Sequence, residues 1–148
     1  MNISTRGRYG LRALLELSMI SRNGPVSLRD LSEKQNMSIN YLEQIFYKLK
    51  KAGIVRSVRG VKGGYILALG EDKITVSQII NALDGPISIS KCDDPRLREK
   101  SCTGPSHCIS RVLWKELEDK IEKILSNITL KDLRTDKFDI NKIRSRKK

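Results

Sequence analysis

Apolar residues recur through the first fifty positions at the spacing of helix faces. Leu11, Leu14, Leu15 and Ser18, with Leu17 widening the stripe, mark one face of a helix predicted from Ser4–Thr5 to about Ile20. Asn23-Gly24-Pro25 stops it. Ser27-Leu28-Arg29-Asp30 has the form of a capping-box start and opens a short helix with Leu28 and Leu31 inward, closed by a turn at Asn36-Met37. Ser38 is the predicted N-cap of a third helix, whose Leu42, Ile45, Phe46 and Leu49 share one face, and Gly53 follows its end. The period then changes. Ile54–Val58 and Tyr65–Leu69 are strand-like runs around the glycine-rich Arg59-Gly60-Val61-Lys62-Gly63-Gly64. Three helices followed by a hairpin with a basic tip predict a winged helix-turn-helix, mainly α with a small β-hairpin wing.

Farther along, Val76–Leu83 predicts a fourth helix capped by Thr75. Residues 84–108 contain Gly85, Pro86, Pro95, Gly104 and Pro105 and predict a loop. A longer helix is expected from about Ser110 to Asn127. Leu113, Leu117, Ile121, Ile124 and Ile128 form a stripe along it, too narrow for a broad core face and suited to a helix–helix seam. Such a seam would be exposed in a monomer, so a two-fold homodimer is expected, with this helix as its interface. The organisation expected is a DNA-binding winged helix-turn-helix domain at 1–83, a loop carrying the cysteines at 84–109, the dimerisation helix and a following segment at 110–133, and a basic tail at 134–148. That tail lacks apolar periodicity and is expected to be disordered.

Charge sharpens this picture. The 148-residue chain has a formal net charge of +12, concentrated at its start: residues 1–64 carry 12 Lys and Arg against 4 Asp and Glu. A one-sided excess of cations is what a phosphate-binding surface requires, because neutralising phosphates releases condensed counterions. No apolar run approaches 18 residues and no signal-peptide core begins the chain, so a membrane span and export are not expected and the cytoplasm is the expected location. With one histidine and no paired acid and base, an enzyme is not expected either.

The third helix has the chemistry to read double-stranded DNA. Its apolar stripe leaves Asn40, Tyr41, Glu43, Gln44, Tyr47, Lys48 and Lys51 outward. Asn and Gln can pair with adenine in bidentate fashion and Glu can accept from cytosine. Residues near the start of such a helix reach base edges. Ser38, Asn40, Tyr41, Glu43 and Gln44 are therefore the candidate base readers, and Lys48 and Lys51 the candidate phosphate contacts. In the wing, glycines allow close backbone approach, so Gly60 is a candidate DNA contact. Arg59 and Lys62 are projected at the tip, where an arginine suits the narrow minor groove.

The three cysteines, Cys92, Cys102 and Cys108, fall within 17 residues. An odd number in a chain without an export signal argues against a disulfide framework and for a metal or redox site. Three thiolates suit an iron–sulfur cluster with one iron position left for another donor. His107, beside Cys108, could instead complete a tetrahedral zinc site with the three thiolates.

The stretches "GRYGLRALLEL", "YLEQIFYKLKKAGIVRSVRGVKGGYIL", "GPIS" and "CISRVLW…NITL" resemble the IscR family of iron–sulfur transcription regulators, over about residues 1–133. The resemblance implies a dimeric repressor on a palindromic operator. Its 2Fe–2S cluster, received from assembly proteins, would control genes of cluster assembly. It places DNA contacts on Ser38–Gln44 and Arg59–Gly60, with a discriminating role between operator types at Glu43, and matches Cys92, Cys102 and Cys108 to three cluster ligands. The pattern departs at the fourth. Arg111 stands where the family's type member has a ligating His, and Arg8 where the nitric-oxide-sensing (NsrR) branch draws an Asp from the partner subunit. His107 is the nearest candidate donor, followed by Asp93, Asp94, Glu99 or a residue of the partner. "STRGRYGL" and "LDGPIS" also resemble the cysteine-metabolism (CymR) branch, which has the fold without a cluster and is the alternative function.

Overall fold

Hydroxyl side chains set the start of helix after helix. The structure, a computed structural model, describes residues 3–90, 92 and 108–135. Ser4 accepts from the Gly7 N–H and opens α1 (Thr5–Ile20). Ser27 accepts from Asp30 N and opens α2 (Leu28–Gln35). Ser38 accepts from Tyr41 N and opens α3 (Ile39–Lys51). Between α1 and α2 the chain makes a short 3-10 turn, Ser21–Asn23. Asn36 closes α2 in the left-handed region, where a short polar side chain is tolerated.

The hairpin follows α3. Strand β1 (Val55–Val58) pairs antiparallel with β2 (Gly64–Leu67), with Ser57 opposite Tyr65. Val26, just ahead of α2, adds a bridge on the other edge, its N–H and carbonyl both bonded to Tyr65 at 3.0 and 2.8 Å. Gly64 makes this approach possible, since a Cβ there would lie 2.3 Å from the Val26 carbonyl oxygen. The wing is therefore tied to the body of the domain on the side away from β1.

Three further helices follow among the described residues: α4 (Val76–Asp84), α5 (Ile109–Ser126) and α6 (Leu130–Arg134). Thr75 and Thr129 cap α4 and α6 with full capping boxes, through Gln78 and Asp132. One core joins α1, α2, α3, α4 and α6 around Leu14, Leu17, Leu31, Leu42, Ile45, Phe46, Leu49, Ile79, Leu83 and Leu130. Leu130 shows that the segment after α5 returns to the same core as α1–α4. Helix α5 itself reaches a smaller cluster of Val76, Ile80 and Ile128 through Leu125.

The buried face of α1 is rotated from the one expected. Gly7, Gly10, Ala13, Leu14, Leu17 and Ser18 are buried, while Leu11 and Leu15 are half-buried at its margin. The cause is the small residues, which let α4 approach. A Cβ on Gly10 would lie 2.2 Å from Leu83 Cδ1 and 3.4 Å from Ile45 Cγ2. On an exposed helix, Gly→Ala gains about 1 kcal/mol of propensity. Here Leu83 is itself buried and has nowhere to retreat, so overpacking outweighs that gain. Gly10→Ala is expected to lower stability by about 1–3 kcal/mol. A urea midpoint at or above that of the parent protein would remove the packing role of Gly10.

Candidate nucleic-acid interface and cysteine loop

The stripe Leu42, Ile45, Phe46 and Leu49 is buried as expected, which turns the opposite side of α3 to solvent. Asn40, Glu43, Gln44, Tyr47 and Lys51 are all exposed. Ser38 is exposed too, and although its oxygen caps Tyr41 N, its hydroxyl proton is still available to donate. Ile39, the first residue of α3, is an exposed apolar neighbour of these polar groups.

Two expected members of this face are placed otherwise. Tyr41 is half-buried, its ring edge-on to Tyr9 of α1 at 6.1 Å, and Tyr9 in turn lies under the Arg12 guanidinium. Lys48 bends back across the domain and donates from Nζ to the Leu83 carbonyl at 3.0 Å. That carbonyl lies in the last turn of α4, where carbonyls have no helical partner and a cation is favoured. The ammonium is thus engaged inside the protein instead of facing a phosphate. Periodicity alone could not reveal this, because position 48 borders the apolar stripe and its long side chain chooses between solvent and α4.

The wing stands in fixed relation to α3. Phe46 packs against Tyr65 of β2 with ring centroids 4.9 Å apart, and Lys50 Nζ donates to Ser57 Oγ of β1 at 2.7 Å. Arg59, Gly60 and Lys62 are exposed at the hairpin tip. Between them Val61 is fully exposed, an apolar tip residue the charge pattern did not single out.

The cysteine loop is described only at its ends. Cys102, His107, Asp93, Asp94 and Glu99 lie outside the described residues, and among the described residues no three potential metal ligands converge. Cys92 and Cys108 are both partly exposed. Cys108 occupies the N-cap of α5, with the Ser110 hydroxyl 3.0 Å from its Sγ. That hydroxyl, then the Arg111 backbone N–H, hold the Cys108 thiol below the ordinary thiol range, and the Arg111 guanidinium adds to this. A helix N-terminus that favours thiolate is chemically suited to ligating iron, so Cys108 is fit to serve as one ligand of a thiolate-bound cluster.

Along α5, Leu113, Leu117 and Ile124 are exposed and Ile121 is half-buried. Ile109 and Val112 are exposed apolar residues of the same helix that the expected stripe omitted. Ile128 leaves the stripe. The helix ends at Ser126, and Ile128 is buried against Val76 and Ile80, its carbonyl accepting from Val76 N at 2.8 Å. Its spacing continued the stripe only because the last turn runs on into a bridge between Thr75 and Thr129. Among the described residues no helix is long and apolar enough to cross a membrane.

The sequence pattern of the Rrf2 family, described as iron-dependent transcriptional regulators, matches residues 3–136. The chain belongs to the Rrf2 family. Similar Rrf2 relatives include the HTH-type transcriptional regulators IscR of Pectobacterium atrosepticum, 40% identical over 95% of this chain and 84% of that one, and of Aliivibrio salmonicida, 40% identical over 92% and 79%. Among solved structures, the global cysteine regulator CymR of B. subtilis superposes with a TM-score of 0.74 at 38% identity, covering 91% of this chain and 97% of that one. IscR of T. potens does so with a TM-score of 0.73 at 36% identity, covering 92% and 88%. This Rrf2 chain is accordingly a winged-helix transcriptional regulator of IscR type and not an enzyme.

Proposed function

We propose that this chain is a cytoplasmic, homodimeric repressor that binds a palindromic operator of iron–sulfur assembly genes and senses cluster supply through a 2Fe–2S cluster. The observation that carries the DNA-binding part is the exposed polar half of α3, locked to a basic wing by Phe46 and Tyr65. In this reading Ser38, Asn40, Glu43 and Gln44 read base edges, with Tyr41 contributing from its half-buried position. Lys51 and Lys62 meet phosphates, and Arg59 with Gly60 enters the minor groove. Lys48 acts indirectly, by holding α3 against α4.

Arg59 and Lys51 each contribute one positive charge, so their removal separates the two kinds of contact. Arg59→Ala is expected to weaken binding to a selected operator by about 1–3 kcal/mol, more with A/T-rich than with G/C-rich flanks. Lys51→Ala is expected to weaken all sequences alike and to lower the slope of log affinity against log salt by about one. Identical, sequence-independent losses in an anisotropy titration would make Arg59 another phosphate contact.

The cluster part rests on the three clustered thiols, the thiolate-favouring seat of Cys108 and the similarity to regulators named IscR. Cys92, Cys102 and Cys108 would hold the cluster and His107 is the first candidate for the fourth donor, with cluster-assembly proteins as its source. When bound, the cluster supplies a signal that appears and disappears with iron–sulfur supply. The chain's own part is to present thiolates at the two ends of one loop. Protein purified without air from iron-replete cells is expected to be red-brown, with about two iron and two sulfide per chain, and to lose its colour on Cys92→Ala, Cys102→Ala or Cys108→Ala. A colourless, zinc-loaded protein would favour a structural zinc site, and a metal-free one that still binds DNA the cysteine-metabolism alternative.

Dimerisation is proposed through α5. The exposed Leu113, Leu117 and Ile124, with Ile121 beside them, form an apolar face that a second copy would cover. Leu117→Glu is expected to yield monomers in sedimentation velocity. An unaltered dimer would place the interface elsewhere.

A further inference from the structure

The one buried residue of α5 is a carboxylate. Glu118 is only 7% exposed, on a helix whose apolar side chains are largely in solvent. Burying a carboxylate is costly unless hydrogen-bond donors surround it. Here the donors are backbone amides: Oε1 accepts from Ile89 N at 2.7 Å and from Ser90 N at 3.4 Å. Lys115 approaches Oε2 only at 3.9 Å, and it also reaches Asp119 at 3.3 Å. Residues 89 and 90 belong to neither helix nor strand, so no ladder supplies partners for their N–H groups, and Glu118 does so instead. Two residues farther on is Cys92.

The same helix carries Cys108 at its N-cap, ten positions earlier and so about 15 Å away along the axis. One rigid element therefore fixes both limbs of the cysteine loop: the outgoing limb through Cys108, the incoming limb through the Glu118–amide clamp. We propose that Glu118 is a positioning residue that sets Cys92 for metal binding, acting through the backbone at Ile89 and Ser90 and not as a ligand itself. The proposal rests on the cluster reading above. It goes beyond it in assigning a role to a residue outside the loop, in the manner of outer-sphere groups that orient metal ligands.

The requirement is for an acceptor, not for a charge, and this separates the clamp from a generic buried carboxylate. A glutamine can accept from the same two amides, whereas alanine cannot. In full-length protein reconstituted with iron and sulfide, Glu118→Ala is expected to lose its visible absorption to a chelator on the order of ten times faster than the parent, and Glu118→Gln within about threefold of it. In the metal-free proteins, amide exchange at Ile89 and Ser90 is expected to rise at least about tenfold in Glu118→Ala and to stay near the parent rate in Glu118→Gln. Equal cluster lifetimes in the parent and Glu118→Ala overturn the proposal, as does a glutamine variant that bleaches as fast as the alanine one. Unchanged amide exchange in Glu118→Ala removes the clamp itself. A parent protein that never takes up a cluster, but whose amides 89 and 90 lose protection in Glu118→Ala, refutes the cluster reading and the assigned role while leaving the clamp as a structural tie. The exchange arm thus tells the two failures apart.

Discussion

The packing of the last turn of α4 against a side-chain-free stretch of α1 is the constraint on which the rest of the molecule depends. Gly10 lets Leu83 enter the core beside Ile45, and that entry places the Leu83 carbonyl within reach of Lys48 on α3. The next residue, Asp84, accepts from the backbone N–H and the hydroxyl of Ser4, fastening the start of α1. One turn of helix thus carries the orientation of the recognition helix, the first cap of the chain and the origin of the segment that leads to Cys92. Any side chain at position 10 pushes on all three at once. This is a packing constraint first and a polar one second, because the Lys48 and Asp84 bonds can form only after the helices have closed to this distance.

Much of this was legible in the sequence, because the elements are specified locally. Each predicted helix start at Ser27, Ser38 and Thr75 is an N-cap in the structure, the helix expected from Ser4–Thr5 starts there, and the stripe Leu42, Ile45, Phe46 and Leu49 is buried whole. The hairpin was displaced by only a residue or two, since a strand end is set by pairing with its partner and not by its own composition. The side chains placed otherwise than expected share a physical origin. Lys48, Tyr41 and Ile128 all sit at the margins of apolar stripes, where the side chain's fate is decided by a distant element: the α4 carbonyls, the Tyr9 ring and the Val76 amide. Glu118 was invisible for the same reason. A glutamate between Leu117 and Asp119 on an amphipathic helix has the pattern of a solvated residue, and only the amides of Ile89 and Ser90 make burial tolerable.

The similarity to IscR and CymR structures, at nearly the same TM-score, locates the functional distinction within the family. A fold shared between a regulator named for cysteine metabolism and regulators named IscR cannot itself decide whether a cluster is bound. In the proposed reading the decision would fall to the 17 residues from Cys92 to Cys108 and to the groups that hold their ends. In this chain Cys108 caps α5 and Glu118 of α5 binds the amides just before Cys92, so the proposed holding groups and the proposed apolar seam share one helix. Change at the loop and change at the proposed seam would then be transmitted through a common rigid body.

The charge around the thiols narrows what the fourth donor can be. Arg111, in the first turn of α5, acts on Cys108 in two ways: its backbone N–H and its guanidinium both favour the thiolate. An anionic cluster held by three thiolates gains from that cation, yet guanidinium offers no lone pair to iron. The residue at the ligand position of the resembling pattern would thus lend electrostatic support, after the Ser110 hydroxyl that does most to favour the Cys108 thiolate. At Arg8, on the exposed face of α1, the same exchange removes a carboxylate from the surface a partner could present. A cluster on Cys92, Cys102 and Cys108 would be charge-stabilised at one ligand and would take its remaining bond from another donor, with His107 as the neutral option and Asp93, Asp94, Glu99 or a residue of the partner subunit as the others. These differ in consequence. A carboxylate adds a negative charge to an already anionic centre and lowers its potential, whereas an imidazole leaves the charge unchanged and can be lost by protonation. With a carboxylate donor, the cation at position 111 would offset part of that first cost.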